Sequence, residues 1–273
     1  MCRVLSVSRN GYYRWRKRPA SRRAVENKRL DIHIKAIYKK HKGRYGSPKI
    51  TQELNDNGFH VSKNRVARRM KKAGLRSIVR RKYRPTTDSK HSYPVAANLL
   101  QRDFTAGAPN TVWVSDITYI ATKHGWLYLT VFLDLYSRMV VGWALSSSLG
   151  SQMVQMALHR AIHRRRPAAG LIIHSDRGVQ YACKDFQQVL DKNGFIQSMS
   201  RKGNCWDNAV AESFFSIIKS EMIHHECFKE HQDTLPAIFE YIEVFYNRKR
   251  KHSTLGYQTP AQVEQVIKSS VCF

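Results

Sequence analysis

The sequence predicts a mixed α/β domain preceded by an all-α, strongly basic region. From about residue 109 onward, three apolar strand-like runs are followed by alternating helices and strands, whereas residues 22–73 show helical periodicity. Residues 1–100 contain 28 Lys and Arg against 5 Asp and Glu, so they carry +23 of the net charge of +27. A front part this basic favours binding to a polyanion, with a merely soluble basic protein as the alternative.

Composition excludes several classes of protein. The 273 residues are 42% hydrophobic, which is enough for a packed core. Five scattered cysteines form no CxxC pair, which argues against a disulfide framework or a zinc ribbon and fits a reducing compartment. The start lacks the apolar stretch of a signal peptide, and the longest apolar region, 126–145, is interrupted by Asp134 and Arg138. We therefore expect a soluble cytoplasmic protein without a membrane span.

Residues 1–20 predict the second half of a helix-turn-helix. A short apolar segment is followed by a turn, with Ser8 as the N-cap of a helix that carries Tyr12, Tyr13 and Trp15. The segment begins abruptly, as if its first helix lay upstream in a longer natural product.

Residues 22–85 predict a helix-turn-helix-like DNA-binding domain. The spacing predicts a helix over 22–40 with Val25, Leu30, Ile34 and Ile37 on one side. Pro48 can begin a second helix, which carries Ile50 and Leu54 and ends at Asn57-Gly58.

A third, strongly basic helix is predicted from Lys63 to Ala73, closed by Gly74. Its Val66 and Met70 would face inward. The bases on its remaining surface are the candidate DNA contacts, namely Lys63, Arg65, Arg68, Arg69 and Lys72. The alternative is a solvated basic helix that packs on the core without reading DNA.

The segment 76–90 is basic, poor in apolar residues and broken by Pro85. It predicts a connection that could also touch phosphates, and we assign the linker to residues 86–108.

Residues 109–230 predict the catalytic core, and 231–273 a helical extension of it. The predicted strands are 111–120, 126–134, 138–146, 171–175 and 195–199, and the predicted helices are 151–164, 184–192 and 207–226. Three strands followed by alternating helices and strands is the order of a ribonuclease-H-like core.

Three acidic residues occupy positions that this order would bring together. Asp116 lies on the first strand, Asp176 follows the fourth, and Glu212 lies early in the helix after the fifth. Carboxylates without comparable Cys or His sets suit hard ions such as Mg²⁺ or Mn²⁺. A pair of such ions can drive phosphoryl transfer on a phosphodiester. Asp134 is a rival for one ligand position.

The predicted helix around Glu212 places Asn208, Glu212, Phe215 and Lys219 on one face. We expect Asn208 to orient the acid or a water, and Lys219 to hold a phosphate, so both count as candidate DNA contacts. Lys219 as a solvated base is the alternative. The cluster 224–231 contains His and Cys residues, but its spacing fits a single tetrahedral zinc site poorly.

Several segments resemble the catalytic blocks of a known family. They are 113–119 (WVSDITY), 174–181 (HSDRGVQY) and 207–215 (DNAVAESFF). The tail 246–260 (YNRKRKHSTLGYQTP) is similar to the C-terminal signature of that family, and 28–85 resembles its helix-turn-helix-like domain. The family is that of the integrase-core transposases of bacterial insertion sequences, and the resemblance is closest to the OrfB-type proteins of the copy-out, paste-in group.

The resemblance implies a DDE transposase with an integrase core, in which Asp116, Asp176 and Glu212 bind two Mg²⁺ ions and catalyse strand transfer. It maps the basic residue that the family has one or two turns after the glutamate onto Lys219. It implies double-stranded DNA as partner, both element terminal repeats and target, and hence nucleoid association. It also implies a possible frameshift fusion with an upstream DNA-binding protein. A homo-oligomer is expected because two element ends must be brought together.

Three other functions stay open on the sequence. A ribonuclease-H-like nuclease would only hydrolyse DNA, and a non-catalytic regulator would only bind it. A tyrosine recombinase would instead use Arg248, His252 and Tyr257 around a covalent phosphotyrosine.

Overall fold

The computed structural model describes residues 4–78, 95–201 and 205–271, and for Cys205 and 267–271 it describes the backbone only. The chain divides into two compact units, Met1–Ile78 and Val79–Phe273. The predicted connection over 76–90 and the predicted linker 86–108 therefore fall in part outside the described residues.

Over its described residues, 4–78, the first unit contains four helices. They are α1 (Arg9–Lys17), α2 (Arg22–Lys40), α3 (Ser47–Asp56) and α4 (Lys63–Lys72). Serine side chains cap three of them, because a hydroxyl oxygen accepts an otherwise unpaired N–H of the first turn. Ser8 accepts from the Gly11 amide at 2.9 Å, which confirms the predicted N-cap of α1. The backbone dihedrals and the capping bond place Ser62 in the same role for α4.

Apolar side chains of α2, α3 and α4 form the core of this unit. The buried residues on α2 are Leu30, Ile34 and Ile37, and those on α4 are Val66 and Met70. The inward orientation predicted for Val66 and Met70 is confirmed. Leu30, Ile34 and Ile37 were predicted to share one side of α2, and all three are buried. Val25, predicted on the same side, is 42% exposed, and burial along α2 begins only at Leu30.

The second unit contains a five-stranded mixed sheet. Its strands are β1 (Val112–Thr122), β2 (Gly125–Asp134), β3 (Val140–Ser146), β4 (Ile172–Ser175) and β5 (Ile196–Met199). The spatial order is β3-β2-β1-β4-β5, in which β1 pairs antiparallel with β2 and parallel with β4. Since β1 lies in the centre and pairs with β4 through Val112–Val114, the middle of β1 lies close to the carboxyl end of β4.

Helix α5 (Ser151–Arg165) covers β3 and β2. Its close approach requires Gly142 on β3, since a Cβ atom there would lie 2.4 Å from the Ala157 carbonyl oxygen. Ala157 and Ala161 of α5 are fully buried against this strand, and Trp113 and Phe132 belong to the same core. Packing at this distance leaves no room for a larger residue at position 142.

The remaining helices before the C-terminal part are α6 (Val179–Ala182), α7 (Lys184–Lys192) and α8 (Ala209–Glu221). The single helix predicted over 207–226 is wrong. A 3₁₀ turn, Cys205–Asn208, precedes α8, and the helix ends where Met222 adopts φ −144° and ψ −62°. A separate 3₁₀ turn, Ile223–His225, follows. The break allows His225 Nε2 to contact the Ser220 carbonyl oxygen at 2.9 Å.

The C-terminal part is helical, with α9 (His231–Phe239), a π-helical stretch (Glu240–Tyr246) and α10 (Pro260–Val271). Several polar contacts attach it to the core, including those of Arg250 and Asn247. Arg250 pairs with Glu221 at the end of α8 at 2.9 Å, and the Asn247 side chain exchanges two 3.0 Å hydrogen bonds with the backbone of Val140. Within the described residues, no helix combines the length and apolarity needed to cross a membrane.

Candidate active site

Asp116 lies on β1, and Asp176 directly follows the neighbouring parallel strand β4. The β1–β4 register pairs Val114 with His174, and each acid lies two residues further along the chain from that pair. Both carboxyl groups are half-buried. The two acids are therefore expected close together at the carboxyl end of β4.

The electrostatics agree with this placement. Burial raises the pKa of Asp116 well above its usual value, and the neighbouring Asp176 raises it further. A hydrogen bond from the Ile117 amide at 2.8 Å opposes the shift. The Asp176 carboxylate accepts from the Gly178 amide at 2.9 Å, which fixes its side chain across the turn that follows β4. The pair thus carries repulsion that a cation would relieve.

Glu212 is the third acid, half-buried in the first turn of α8. Burial and then the charge of Asp176 raise the pKa of Glu212. The charge of Glu212 in turn contributes to the raised pKa of Asp116. The structure therefore brings the three predicted acids into one electrostatic cluster.

Lys219 belongs to the same cluster and is not a solvated base. Its side chain is buried, and that burial lowers the pKa of its ammonium group, while attraction to Asp116 opposes the change. Asn208, also buried, precedes α8 and donates from Nδ2 to the Ser115 carbonyl oxygen at 3.3 Å. Among the described residues its Oδ1 has no hydrogen-bond partner, so this oxygen can still accept a hydrogen bond.

A buried hydrogen-bond network supports the acids. Ser115 Oγ lies 2.8 Å from the Tyr181 hydroxyl, and burial raises the pKa of Tyr181 well above its usual value. Burial lowers the pKa of His174 to about 4, so its ring is neutral at pH 7. Its Nε2 lies 2.9 Å from the Asp207 carbonyl oxygen, which can only accept, so this nitrogen carries the proton. Nδ1 then accepts from Ser198 Oγ at 2.8 Å.

Sequence reasoning missed a charged clamp around Asp207. This carboxylate is fully buried, and the hydrogen-bonded Arg201 holds its pKa well below the usual range. Arg201 donates from its backbone and its guanidinium, each at 2.9 Å, while Arg102 and Asn98 donate at 3.2 and 2.9 Å. The clamp fixes the turn that leads into α8, and thereby Glu212. The one signal for it in the sequence was an acidic residue, Asp207, at the start of the segment 207–215.

Asp134, the rival ligand, has a structural role. It is fully buried, and its two oxygens accept from the amides of Asn110 at 2.6 Å and Tyr136 at 2.9 Å and from the Trp113 indole at 3.2 Å. It pairs with Trp113 in the β1–β2 register, three positions from Asp116. Its lone pairs are thus committed to the backbone around the β2–β3 turn.

The other candidate clusters do not converge. Over the part of the chain that is described, no three His, Cys, Asp or Glu side chains are grouped tightly enough to hold a metal ion, which covers both the zinc candidate and the acidic triad. The three acids thus lie near enough for their charges to act on one another's pKa, but they do not form a closed shell of metal ligands. In the tail, His252 is buried against the ring of Tyr246, whereas Arg248 is exposed.

The predicted DNA contacts on α4 divide into two groups. Lys63, Arg68 and Lys72 are exposed. Arg65 and Arg69 are half-buried and bind polar groups of α2 instead. Arg65 donates to the side chain of Asn27 and forms an ion pair with Glu26 at 3.2 Å. Arg69 forms a bidentate ion pair with Asp31, which lowers the pKa of that acid.

Comparisons with known proteins agree with this architecture. Residues 25–83 match an HTH-like domain family, and two Integrase core domain families match residues 106–205 and 212–266. The fold resembles a chain of the simian T-cell lymphotropic virus intasome, with a TM-score of 0.50 and 18% identity, over 84% of this chain and 73% of that one. The predicted ribonuclease-H-like integrase fold behind a helix-turn-helix-like region is confirmed.

Two curated relatives span nearly the whole chain. The "Insertion element IS600 uncharacterized 31 kDa protein" of Shigella sonnei is 44% identical over 261 residues, which are 96% of each chain. The "Transposase InsF for insertion sequence IS3A" of Escherichia coli strain K12 is 42% identical over 266 residues, or 97% of this chain and 92% of that one. The chain therefore belongs to the insertion-sequence transposases with an integrase catalytic core, and is a DDE-type polynucleotidyl transferase.

Proposed function

We propose that this transposase cleaves and joins DNA strands at the ends of its insertion sequence by two-metal-ion phosphoryl transfer at Asp116, Asp176 and Glu212. The observation that carries the proposal is the coupling of these three carboxyl groups across β1, β4 and α8. Burial, and then the charge of Asp176, raises the pKa of Asp116 and of Glu212, so the folded chain holds negative charge here at a cost in free energy. A site of this kind is suited to bind divalent cations.

The donor set fits Mg²⁺ or Mn²⁺ by its chemistry. All three side chains offer carboxylate oxygens, and among the described residues no His or Cys joins them in a tight group. When bound, two such ions supply Lewis-acid activation and neutralise charge on the transferred phosphate. Because the described acids form no closed shell, we expect the carboxyl groups to draw together as ions and DNA bind.

Lys219 and Asn208 complete the proposed site. Lys219 holds its ammonium group beside Asp116 in a buried setting, where a cation attracts a phosphate oxygen more strongly than it would in water. The unpartnered Oδ1 of Asn208 accepts a hydrogen bond from a water or a hydroxyl group near β1. Lys219 thus positions the DNA strand, and Asn208 orients the groups around it.

We assign the first contact with DNA to the exposed bases of α4. Lys63, Arg68 and Lys72 project from one basic helix of the HTH-like domain and are available to phosphates. Arg65 and Arg69 instead hold α4 against α2 through Glu26 and Asp31. This division replaces the uniform set of five contacts that the sequence suggested.

The proposed partners are double-stranded DNA of the terminal repeats and of the target. Two element ends must meet for joining, so we expect a homo-oligomer on DNA and association with the nucleoid. A fusion with an upstream-frame DNA-binding protein remains part of the proposal.

The test is a labelled duplex of the element end incubated with Mg²⁺ or with EDTA. Wild-type protein should nick or join the duplex only with Mg²⁺, and Glu212→Gln should bind it without forming product. Exposed Glu230, changed to Gln, is the matched control and should behave as wild type. Products that form in EDTA, or that persist in Glu212→Gln, would overturn the proposed site. Hydrolysis without joining would instead favour a nuclease.

A further inference from the structure

Trp206 is a large exposed aromatic residue beside the acidic cluster. Its side chain is 68% exposed, whereas Trp113 of the same unit is fully buried. It lies in the 3₁₀ turn Cys205–Asn208, six residues before Glu212. A single exposed aromatic side chain is common on protein surfaces, but the residues around this one are unusual in their hydrogen bonds and charge.

The turn that carries Trp206 is attached to both catalytic strands. The carbonyl oxygen of Asp207 accepts from His174 at 2.9 Å, two residues before Asp176. The side chain of Asn208 donates to the Ser115 carbonyl oxygen at 3.3 Å, one residue before Asp116. The two residues that follow Trp206 are therefore fixed to β4 and β1 close to the acids, which gives the backbone at Trp206 a defined position there.

Two basic side chains bind the residue that follows Trp206. Arg102 and Arg201 both bind the buried Asp207 carboxylate, yet their side chains remain 49% and 53% exposed. Two guanidinium groups against one carboxylate leave a net charge of +1 at the turn. Both arginines are oriented by the ion pairs and still present N–H groups to solvent, where phosphate oxygens could accept them.

We infer that Trp206 stacks on an unpaired nucleobase at the end of the DNA strand, while Arg102 and Arg201 contact the flanking phosphates. Aromatic rings next to basic groups bind single-stranded nucleic acid in this way, because every base offers a face for stacking. A base taken out of the duplex at the element end would bring its 3′ phosphodiester toward Asp116 and Glu212. This inference rests on the proposed end-cleaving function and adds to it a residue that binds the reacting end.

The test compares two DNA ends in EDTA, where no reaction takes place. One duplex of the element end has two unpaired terminal nucleotides, and the other has abasic sites at those two positions. Wild-type protein should bind the unpaired bases about 5- to 100-fold more tightly than the abasic end, as expected from loss of stacking. Trp206→Ala should remove this preference, and Trp206→Phe should keep most of it. Trp126→Ala is the matched control, since Trp126 is 58% exposed on the β1–β2 hairpin.

Equal discrimination by Trp206→Ala and wild type would overturn the inference, as would wild-type protein that does not distinguish the two ends. Circular dichroism and thermal melting check that the variants fold, which is expected for a side chain this exposed. The binding readout needs no metal or catalysis. Base discrimination that depends on Trp206, found together with unchanged Mg²⁺-dependent cleavage in Glu212→Gln, would keep this inference and reject the proposed metal site.

Discussion

The carboxyl group of Asp116 has a pKa raised first by its burial and then by the carboxylate of Asp176 at the junction of β1 and β4. This relationship follows from the parallel register of the two strands, since each acid lies two residues beyond the paired Val114 and His174. The fold therefore holds charge here at a cost in stability. Sites that bind ions commonly accept such a cost, because the ligand removes it on binding.

Replacing Asp116 by Asn should stabilise the metal-free protein while abolishing strand transfer. A carboxyl group with a raised folded-state pKa supports stability below its ordinary pKa, and that support is lost as the pH rises through the raised value. At pH 7 in EDTA the neutral Asn avoids this loss, so the melting temperature of Asp116→Asn should rise by about 2–4 °C for each kcal/mol gained.

Mg²⁺ should then raise the melting temperature of wild type and leave that of Asp116→Asn nearly unchanged. Differential scanning calorimetry of both proteins in EDTA and in Mg²⁺ provides the measurement. A destabilised Asp116→Asn variant that Mg²⁺ still stabilises fully would contradict the assignment of Asp116.

His174 should make stability depend on pH between about 6.5 and 4. Burial lowers its pKa, so the neutral ring contributes stability above the ordinary pKa of His, and that contribution is lost as the pH falls toward about 4. The free energy of unfolding of wild type should fall by about 1.4 kcal/mol for each pH unit attributable to this residue. Urea unfolding at pH 7 and pH 5 should show a smaller difference for His174→Asn, which does not titrate. The same pH dependence in both proteins would exclude His174 as its source.

Lys72 and Arg69 should differ in their effects although both are bases on α4. Lys72→Ala should lower DNA affinity and reduce the slope of log affinity against log salt by about 0.9, because one phosphate contact is lost. Arg69→Ala should instead lower the stability of the HTH-like domain by about 1 kcal/mol, since Asp31 loses its ion pair. Fluorescence anisotropy at several salt concentrations, together with thermal melting, separates the two effects. The same change in salt slope for both variants would reject this division.

Asp134→Ala should destabilise the protein strongly without removing a catalytic group. The change leaves the buried indole of Trp113 and the Ser137 amide without their acceptor, which costs about 3 kcal/mol or more. Protein that remains folded at low temperature should retain Mg²⁺-dependent cleavage. Chemical denaturation gives the loss of stability, and a cleavage assay at 15 °C tests retention. A stable but inactive Asp134→Ala protein would return Asp134 to the list of metal ligands.

Local patterns predicted most of the elements and the three acids. Strand periodicity and glycine turns placed β1 to β3 and β4 within a few residues, and the same order placed Asp116 on the first strand and Asp176 directly after the fourth. These features depend on neighbouring residues, so the sequence alone carries them.

Features that depend on distant partners could not be read in this way. Asp207 is bound by Asn98, which lies 109 residues earlier in the chain, and Arg69 by Asp31, 38 residues earlier. Nothing in the helical pattern of α4 separates Arg69 from Lys72 until α2 packs beside it. The end of α8 at Met222 was also missed, because the apolar pattern continues through Ile223.

The most direct test of the proposed metal site is Mn²⁺ binding measured by electron paramagnetic resonance on the protein with its element-end DNA. We expect saturable binding by wild type that is weakened at least tenfold in Asp116→Asn, Asp176→Asn and Glu212→Gln. Asp185→Asn, which alters an exposed acid on α7, should bind as wild type does. Unchanged Mn²⁺ binding in all three triad variants would contradict the account.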